Sequence, residues 1–209
     1  MIRVLIVDDH PAIRVGVQRI LARDAPDISF GEASGEREAL ERVRSESWSL
    51  VLLDLSLPDR SGFELLSDIK DLRPGLPVLV FSMHTDEAFV LRAIKAGAAG
   101  YLAKSCPPEE LVTALRRVAS GHRYIMPELS ELLIGRLQAP DEGPLHEALS
   151  SREYEVMLQL ARGSSLREIG ERLCLSESTV STYRARVLRK LQLENNAQLI
   201  RYAIDHGLG

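Results

Sequence analysis

Cysteine is scarce in this chain, whose 209 residues include only Cys106 and Cys174. The two cysteines lie far apart, and neither is accompanied by a Cys or His at the spacing of a metal ligand. Disulfide-stabilised domains and zinc modules need several such residues, so the sequence excludes both classes. Because scarce cysteine is typical of proteins in a reducing compartment, we expect a cytoplasmic protein.

Long apolar stretches are absent as well. The longest runs contain four or five residues, as at Leu50–Leu53 and Val78–Phe81. A membrane-spanning helix needs about 20 such residues. Asp8 and Asp9 also interrupt the N-terminal segment before the apolar part of a signal peptide could form. We therefore expect a protein without a membrane partner.

The sequence also lacks an excess of positive charge, since 26 Lys and Arg face 30 Asp and Glu for a formal net charge of -4. For the chain as a whole, this balance argues against a nucleic-acid partner. Residues 1–123 contain 16 basic and 18 acidic side chains, and residues 124–147 contain one basic and five acidic side chains. Residues 148–209 contain nine basic and seven acidic side chains. An acidic majority therefore masks a mildly basic C-terminal module, in which four basic residues lie between Arg184 and Lys190.

Short apolar segments alternate with segments of helical periodicity over the first 120 residues. The predicted strands are Arg3–Val7, Ile28–Glu32, Leu50–Leu53, Val78–Ser82 and Gly100–Ala103. Near-continuous Val, Ile and Leu strands separated by helices indicate a parallel sheet covered on both faces. We therefore predict that residues 1–122 form an α/β domain with a doubly wound, five-stranded parallel sheet.

A change of pattern follows this domain. Residues 123–147 have the character of a linker, within which residues 127–138 are predicted to form an amphipathic helix. Residues 148–209 contain no strand pattern and predict an all-α domain of four helices, with a helix-turn-helix between Gly163 and Leu191. The residues expected to cap these helices are Ser150 with Glu153, Ser165 with Glu168, Ser176, and either Asn195 or Asn196.

Polar side chains follow four of the predicted strands at their carboxyl ends. Asp8 and Asp9 follow the first strand, Asp54 the third, Ser82 ends the fourth and Lys104 follows the fifth. Ligands of open α/β sheets bind at this edge. Converging carboxylates require a compensating cation, and hard oxygen ligands favour Mg²⁺. A lysine and a serine hydroxyl beside them suit the oxygens of a phosphoryl group.

These motifs resemble the receiver domain of two-component response regulators, the CheY-like fold, over residues 1–120. The matching stretches are residues 7–11, 52–62 and 95–104. The resemblance implies that Asp54 accepts a phosphoryl group from the phosphohistidine of a sensor histidine kinase. The other roles it implies are Mg²⁺ binding by Asp8, Asp9, Asp54 and the backbone carbonyl of Ser56, phosphoryl contacts from Lys104 and Ser82, and an aromatic switch at Tyr101.

The C-terminal module resembles the LuxR-type helix-turn-helix of the NarL/FixJ class of response regulators. The matching stretches are residues 149–156, 168–173 and 175–191. The resemblance implies binding to double-stranded DNA at an inverted-repeat operator, as a homodimer formed on phosphorylation, and contact with RNA polymerase. This chain departs from the family at Ser181, where Lys is common, and at Tyr183, where His is common.

The third helix of this module has an apolar stripe at Val180, Tyr183, Val187 and Leu191, which predicts a core-facing side. We expect the opposite side to face bases through Ser181, Thr182 and Ala185, and phosphates through Thr179, Arg186, Arg189 and Lys190. Arg184 has an alternative partner in a core carboxylate such as Glu153. On the last helix we expect Gln198, Arg201 and Tyr202 to be exposed for dimerisation around the core residues Leu199, Ile200 and Ile204.

The sequence therefore predicts a transcription regulator that is switched by phosphorylation of Asp54 and is not an enzyme. An aspartyl-phosphate phosphatase also uses carboxylates at strand ends, but it needs a general-acid Asp two residues after the nucleophile. This chain has Ser56 at that position. A second alternative is a DNA-binding protein whose receiver responds to dimerisation or to a small ligand.

Overall fold

A computed structural model describes residues 2–57, 62–83, 87–126 and 145–208. The chain divides into two compact units, Met1–Ala139 and Pro140–Gly209. The predicted helix over residues 127–138 lies outside the described residues. No helix in the described part of the chain is long and apolar enough to cross a membrane.

The first unit alternates strands and helices. In chain order these are β1 (Ile2–Val7), α1 (Pro11–Asp24), β2 (Ile28–Ala33), α2 (Glu36–Ser45), β3 (Leu50–Leu53), α3 (Gly62–Leu72), β4 (Val78–Ser82), α4 (Glu87–Lys95), β5 (Gly100–Ala103), α5 (Pro108–Ala119) and β6 (Tyr124–Ile125). Every residue of β3, β4 and β5 is buried, as expected for strands covered on both faces. The α/β class and the strands predicted from apolar runs are thereby confirmed.

The strands form one parallel sheet in the order β2-β1-β3-β4-β5-β6. The order reverses between β1 and β3, which is the point where doubly wound folds bind ligands. Val7 and Leu53 are register partners there, so Asp8 and Asp54 follow them side by side. Ser82 and Ala103 are partners in β4 and β5, which brings Ser82 beside Lys104.

The predicted strand number of five was wrong, because the sheet described by the structure has six strands. β6 contains only Tyr124 and Ile125 and lies within the segment predicted as a linker. A strand of two half-buried residues is too short to produce a periodic pattern in the sequence. Their pairing with β5 depends on the turn after α5 and on the Tyr124 amide, which donates to the carbonyl oxygen of Ala99 at 3.1 Å.

The second unit is helical over its described residues. It comprises a short 3₁₀ helix (Leu145–Ala148) followed by α6 (Ser151–Ala161), α7 (Leu166–Leu173), α8 (Glu177–Lys190) and α9 (Asn196–Asp205). The predicted caps are confirmed, since the hydroxyls of Ser150, Ser165 and Ser176 and the Asn195 side chain each accept a bond from the backbone three residues later. The first two are reciprocal capping boxes. The sequence therefore sets the start of each of these helices locally.

One core assignment in α9 was wrong. Ile204 was expected in the core but is 72% exposed, whereas Ala203 is buried. Leu199, the innermost residue of this helix, is followed by Ala203 one turn later, so both lie on the same face. The prediction placed Ile204 in the core because its side chain is large and apolar. The helical period, and not the volume of the side chain, decides which position faces the core.

Candidate functional site

A buried charged cluster occupies the edge of the sheet where β1 and β3 are adjacent. The Asp54 amide donates to the carbonyl oxygen of Val7 at 2.9 Å, which holds the two strand ends together. The Lys104 ammonium lies between two carboxylates, with Nζ 2.7 Å from Asp8 Oδ2 and 2.8 Å from Asp54 Oδ2. The Lys104 amide donates to the Ser82 carbonyl oxygen at 2.8 Å. The structure thus brings these four residues together.

Burial dominates the electrostatics of this cluster. Asp54 is 1% exposed and Ser82 is fully buried. Burial raises the pKa of the Asp54 carboxyl, and the adjacent Lys104 charge only partly offsets this effect. For Lys104, burial acts to lower the pKa, but the charges and hydrogen bonds of Asp54 and Asp8 outweigh it and raise the pKa of the ammonium. One lysine is therefore held charged by two carboxylates.

Oxygen ligands for a cation lie in the same place. One ligand atom from each of Asp8, Asp9, His10 and Asp54 falls within 4.8 Å of the others. Two buried oxygens each have a single close polar partner among the described residues: Lys104 Nζ lies 2.7 Å from Asp8 Oδ2, and His10 Nδ1 lies 2.7 Å from Asp9 Oδ1. Carboxylates with unused acceptor capacity fit a hard divalent cation such as Mg²⁺.

His10 is a member of this cluster to which the sequence assigned no role. Its Nδ1 lies 2.7 Å from Asp9 Oδ1, and its amide donates to Asp8 Oδ1 at 2.8 Å. The signal available was its position between Asp9 and Pro11, the first residue of α1, because a residue there must turn the chain from strand into helix. His10 therefore orients two carboxylates from the start of the helix.

Tyr101, the predicted switch, is fully buried in β5. It pairs in register with Val80 of β4, two residues before Ser82. The Tyr101 side chain is therefore inside the protein, and its strand is the neighbour of the strand that ends at Ser82.

The recognition-helix candidate α8 separates its residues as the periodicity predicts. Val180, Val187 and Leu191 are buried, which confirms the core-facing stripe, and Tyr183 is half-buried. Thr179 is also half-buried. The remaining predicted contact residues are exposed, namely Ser181, Thr182, Ala185, Arg186, Arg189 and Lys190. Arg189 has no ion-pair partner among the residues that the structure describes.

The partner suggested for Arg184 was wrong. Arg184 Nε donates to Asn196 Oδ1 at 2.6 Å, whereas Lys190 Nζ lies 2.6 Å from the Glu153 carboxylate. Glu153 is also part of the capping box of α6, so this ion pair joins the last turn of α8 to the first turn of α6. The Lys190 ammonium is thus engaged within the unit, and the exposed guanidinium groups of Arg186 and Arg189 are better placed for an external anion.

We expect Lys190→Met to lower the free energy of unfolding of the second unit by about 1 kcal/mol at neutral pH, a value reduced for the partial exposure of Lys190. Burial of Glu153 opposes its ionisation, but the bonds from Lys190 and Ser150 keep its pKa below the usual range. The stabilisation is therefore present above the unfolded-state pKa of Glu153 and is lost as the pH falls through the lower folded-state value.

The measurement is urea unfolding of the full chain by circular dichroism across acidic and neutral pH. Trp48, the only tryptophan, reports separately on the first unit. Arg167→Met, which breaks an exposed pair with Glu171, is the matched control and should have no effect. A Lys190→Met protein with the parent's stability at neutral pH would show that the ion pair with Glu153 does not stabilise the second unit.

On α9, the three predicted dimerisation residues differ in their surroundings. Gln198 and Arg201 are exposed, whereas Tyr202 is half-buried with its hydroxyl 3.0 Å from Nδ1 of the buried His146. The Tyr202 ring also stacks on His206, with the ring centroids 4.0 Å apart. Ile204, which the sequence pattern placed in the core, adds an exposed apolar side chain to the same helix.

Comparisons with known proteins agree with both units. The family described as "Response regulator receiver domain" matches residues 4–116, and "Bacterial regulatory proteins, luxR family" matches residues 147–203. The chain is 39% identical to the transcriptional activator protein ExaE of Pseudomonas putida, over 98% of this chain and 97% of that protein. It is 36% identical to the response regulator UvrY of Escherichia coli K12, over 100% and 96%.

A solved structure extends this likeness to the fold. RcsB of Salmonella enterica serovar Typhimurium, bound to promoter rprA in the presence of the phosphomimetic BeF3-, is 26% identical with a TM-score of 0.62, over 97% of this chain and 98% of that one. RcsB has also been solved as two dimers bound to two parallel DNAs. The chain belongs to the two-component response regulators of the NarL/FixJ class, with a receiver domain followed by a LuxR-type DNA-binding domain.

Proposed function

We propose that Asp54 accepts a phosphoryl group from the phosphohistidine of a cognate sensor histidine kinase, and that this modification controls binding to double-stranded DNA. The observation that carries the proposal is the Lys104 ammonium, held 2.8 Å from Asp54 at the ligand-binding edge of the sheet. A fixed cation beside a carboxylate neutralises charge on an incoming phosphoryl oxygen, and such positioning supplies most of phosphoryl-transfer catalysis. The protein acts in this scheme as a switch and not as an enzyme.

The carboxylate cluster supports Mg²⁺ as the cofactor. Asp8, Asp9, Asp54 and the backbone carbonyl of Ser56 would hold the ion, with Asp8 acting through a water molecule. When bound, Mg²⁺ supplies charge neutralisation for the phosphoryl group. Lys104 contacts a phosphoryl oxygen, and the Ser82 hydroxyl donates to the same group.

Phosphorylation then shifts the receiver between two conformations. The added group carries close to two negative charges, and Tyr101 couples the change at Ser82 to its surroundings. The shifted receiver favours a homodimer, in which α9 pairs two DNA-binding domains through Gln198, Arg201 and Tyr202 on an inverted repeat. Residues 1–122 act as the receiver, 123–147 as the linker and 148–209 as the DNA-binding domain, in the cytoplasm and in contact with RNA polymerase.

Incubation with Mg²⁺ and a small phosphodonor tests the switch. We expect the intact protein to gain one phosphoryl group on Asp54 by mass spectrometry, and its affinity for selected DNA to rise by about 5- to 150-fold. Asp54→Asn should gain no phosphoryl group and show no rise in affinity, and chelation by EDTA should prevent both changes in the parent.

Asp71→Asn is the matched control, because Asp71 is an exposed carboxylate of α3 in the same unit. It should behave like the parent. If Asp54→Asn acquires a phosphoryl group as readily as the parent, or if DNA affinity rises equally in both, the proposed switch is wrong.

A further inference from the structure

The exposed side of α8 has an unusual composition for a helix that enters a major groove. Over residues 177–185 the helix exposes Glu177, at its first position, and then Ser178, Ser181, Thr182 and Ala185, and the last four carry only hydroxyl and methyl groups. The exposed cations Arg186 and Arg189 follow in the later turns. The outward part of the helix that would lie deepest among the bases therefore has neither a positive charge nor an amide.

This composition determines which base pairs the helix can recognise. Guanine presents two acceptors in the major groove, which Arg or Lys read with paired donors, and Asn or Gln read adenine in the same way. None of these residues lies among the exposed positions from Glu177 to Ala185, and the Glu177 carboxylate has no donor to offer guanine. A G·C pair opposite them would leave the acceptors of guanine without a strong donor, which is unfavourable when they are desolvated.

The geometry of Thr182 restricts what its side chain offers a ligand. Its hydroxyl donates to the Ser178 carbonyl oxygen at 3.0 Å, one turn earlier. That bond uses the only hydrogen of the hydroxyl and selects one rotamer of the branched side chain. Thr182 therefore presents an acceptor oxygen and a methyl group in a fixed arrangement, and Ala185, on the next turn, adds a second methyl group.

The Ser178 hydroxyl is partly engaged within the helix start. Its hydroxyl lies 2.8 Å from the Ser176 hydroxyl, which also caps the helix and bonds Thr179. Ser181, by contrast, makes no side-chain hydrogen bond with any residue that the structure describes. We call Ser181, Thr182 and Ala185 the reading face.

We propose that the reading face selects A·T pairs through the methyl group of thymine. An A·T pair places an amino donor on adenine and a methyl group on thymine in the same groove, which matches the acceptor and the methyl groups of Thr182 and Ala185. Arg186 and Arg189 then bind phosphates and contribute affinity without sequence preference. The inference rests on the proposed function, since it assumes that α8 enters the major groove.

The test uses the full-length protein with Mg²⁺ and phosphodonor. Bound sites are first selected from random double-stranded DNA, and we expect thymine or adenine at the central positions of each half-site. Individual thymines are then replaced by deoxyuridine, which removes only the methyl group. At the contacted position this should weaken binding about fourfold per half-site, the effect of losing one buried methyl group.

Thr182→Ser assigns the effect to this residue, because it removes the methyl group and keeps the hydroxyl bond to Ser178. The variant should bind the thymine site about fourfold more weakly per half-site, and deoxyuridine should then weaken its binding less than it weakens that of the parent, because only the methyl group of Ala185 remains. Thr113→Ser is the matched control, since Thr113 is exposed on α5 and makes the same bond, to the Glu109 carbonyl oxygen at 2.8 Å. The control should retain the parent's ratio of affinities for the two DNAs.

The outcomes separate the inference from the function on which it rests. Guanine or cytosine at the central positions, unchanged binding to deoxyuridine, or full deoxyuridine sensitivity in Thr182→Ser would each overturn the inference while leaving DNA binding intact. If the phosphorylated parent selects no sequence from the pool, both the inference and the proposed function fail.

Discussion

Replacement of Lys104 by Met should lower the free energy of unfolding of the first unit by about 3–5 kcal/mol. The substitution leaves two nearly fully buried carboxylates, Asp8 and Asp54, without the ammonium that lies between them. Since domains are stable by only about 5–15 kcal/mol, this loss should be visible as a large decrease in the urea midpoint. The measurement is Trp48 fluorescence in the absence of divalent cations.

A second substitution separates charge from packing in this experiment. The double substitution of Lys104→Met and Asp54→Asn removes one of the two uncompensated buried charges. It should recover a large part of the lost free energy of unfolding. Arg116→Met, which breaks an exposed ion pair with Asp27, is the control within the same unit and should leave the midpoint unchanged. A Lys104→Met protein as stable as the parent would show that the buried lysine does not compensate these carboxylates.

Replacement of Gly62 by Ala should lower the free energy of unfolding by about 3 kcal/mol and slow phosphoryl uptake at Asp54. A Cβ at Gly62 would lie 2.4 Å from Leu55 Cα and 2.6 Å from the Asp54 carbonyl oxygen. Both neighbours are backbone atoms, so the overlap must be relieved by a backbone shift, either of the chain that carries Asp54 or of the start of α3 that packs against it. Stability is followed by Trp48 fluorescence and phosphoryl uptake by mass spectrometry.

Gly16→Ala provides the matched control for this prediction. Gly16 lies inside α1, and a Cβ there meets no atom within 4 Å. Alanine should therefore raise stability by about 0.5–1 kcal/mol, because it restricts the unfolded chain and favours the helix. If Gly62→Ala changes neither stability nor the rate of phosphoryl uptake, close packing at Gly62 is not what positions Asp54.

Much of this protein could be predicted from local sequence patterns. The apolar runs that end at Asp8, Asp54 and Ser82 predict parallel strands, and parallel strands place their carboxyl ends at one edge. The serine caps are local too, since a residue and its partner three positions later satisfy the helix end without help from elsewhere. The resemblance to receiver and LuxR-type domains could be detected as well, because it is carried by short motifs that are continuous in sequence.

The tertiary structure decided the features that depend on residues distant in sequence. Arg184 and Lys190 are both cations of α8, and only the packing of α8 against α6 determines that Lys190 pairs with Glu153. The two-residue strand β6 exists only because β5 provides its hydrogen-bonding partners. Ala203 replaces Ile204 in the core through its position relative to Leu199.

The net charge shows most clearly what the sequence determines and what only the tertiary structure decides. The sequence determined that a net charge of -4 conceals a basic C-terminal segment, because charges can be counted residue by residue. It did not determine which of those charges are available to a ligand. Lys190 is engaged by Glu153 and Arg184 by Asn196, so folding leaves Arg186 and Arg189 as the exposed cations of α8 that are best placed for an external anion. A charge that already has a partner in the folded protein contributes less to an external contact, and only the three-dimensional arrangement identifies those partners.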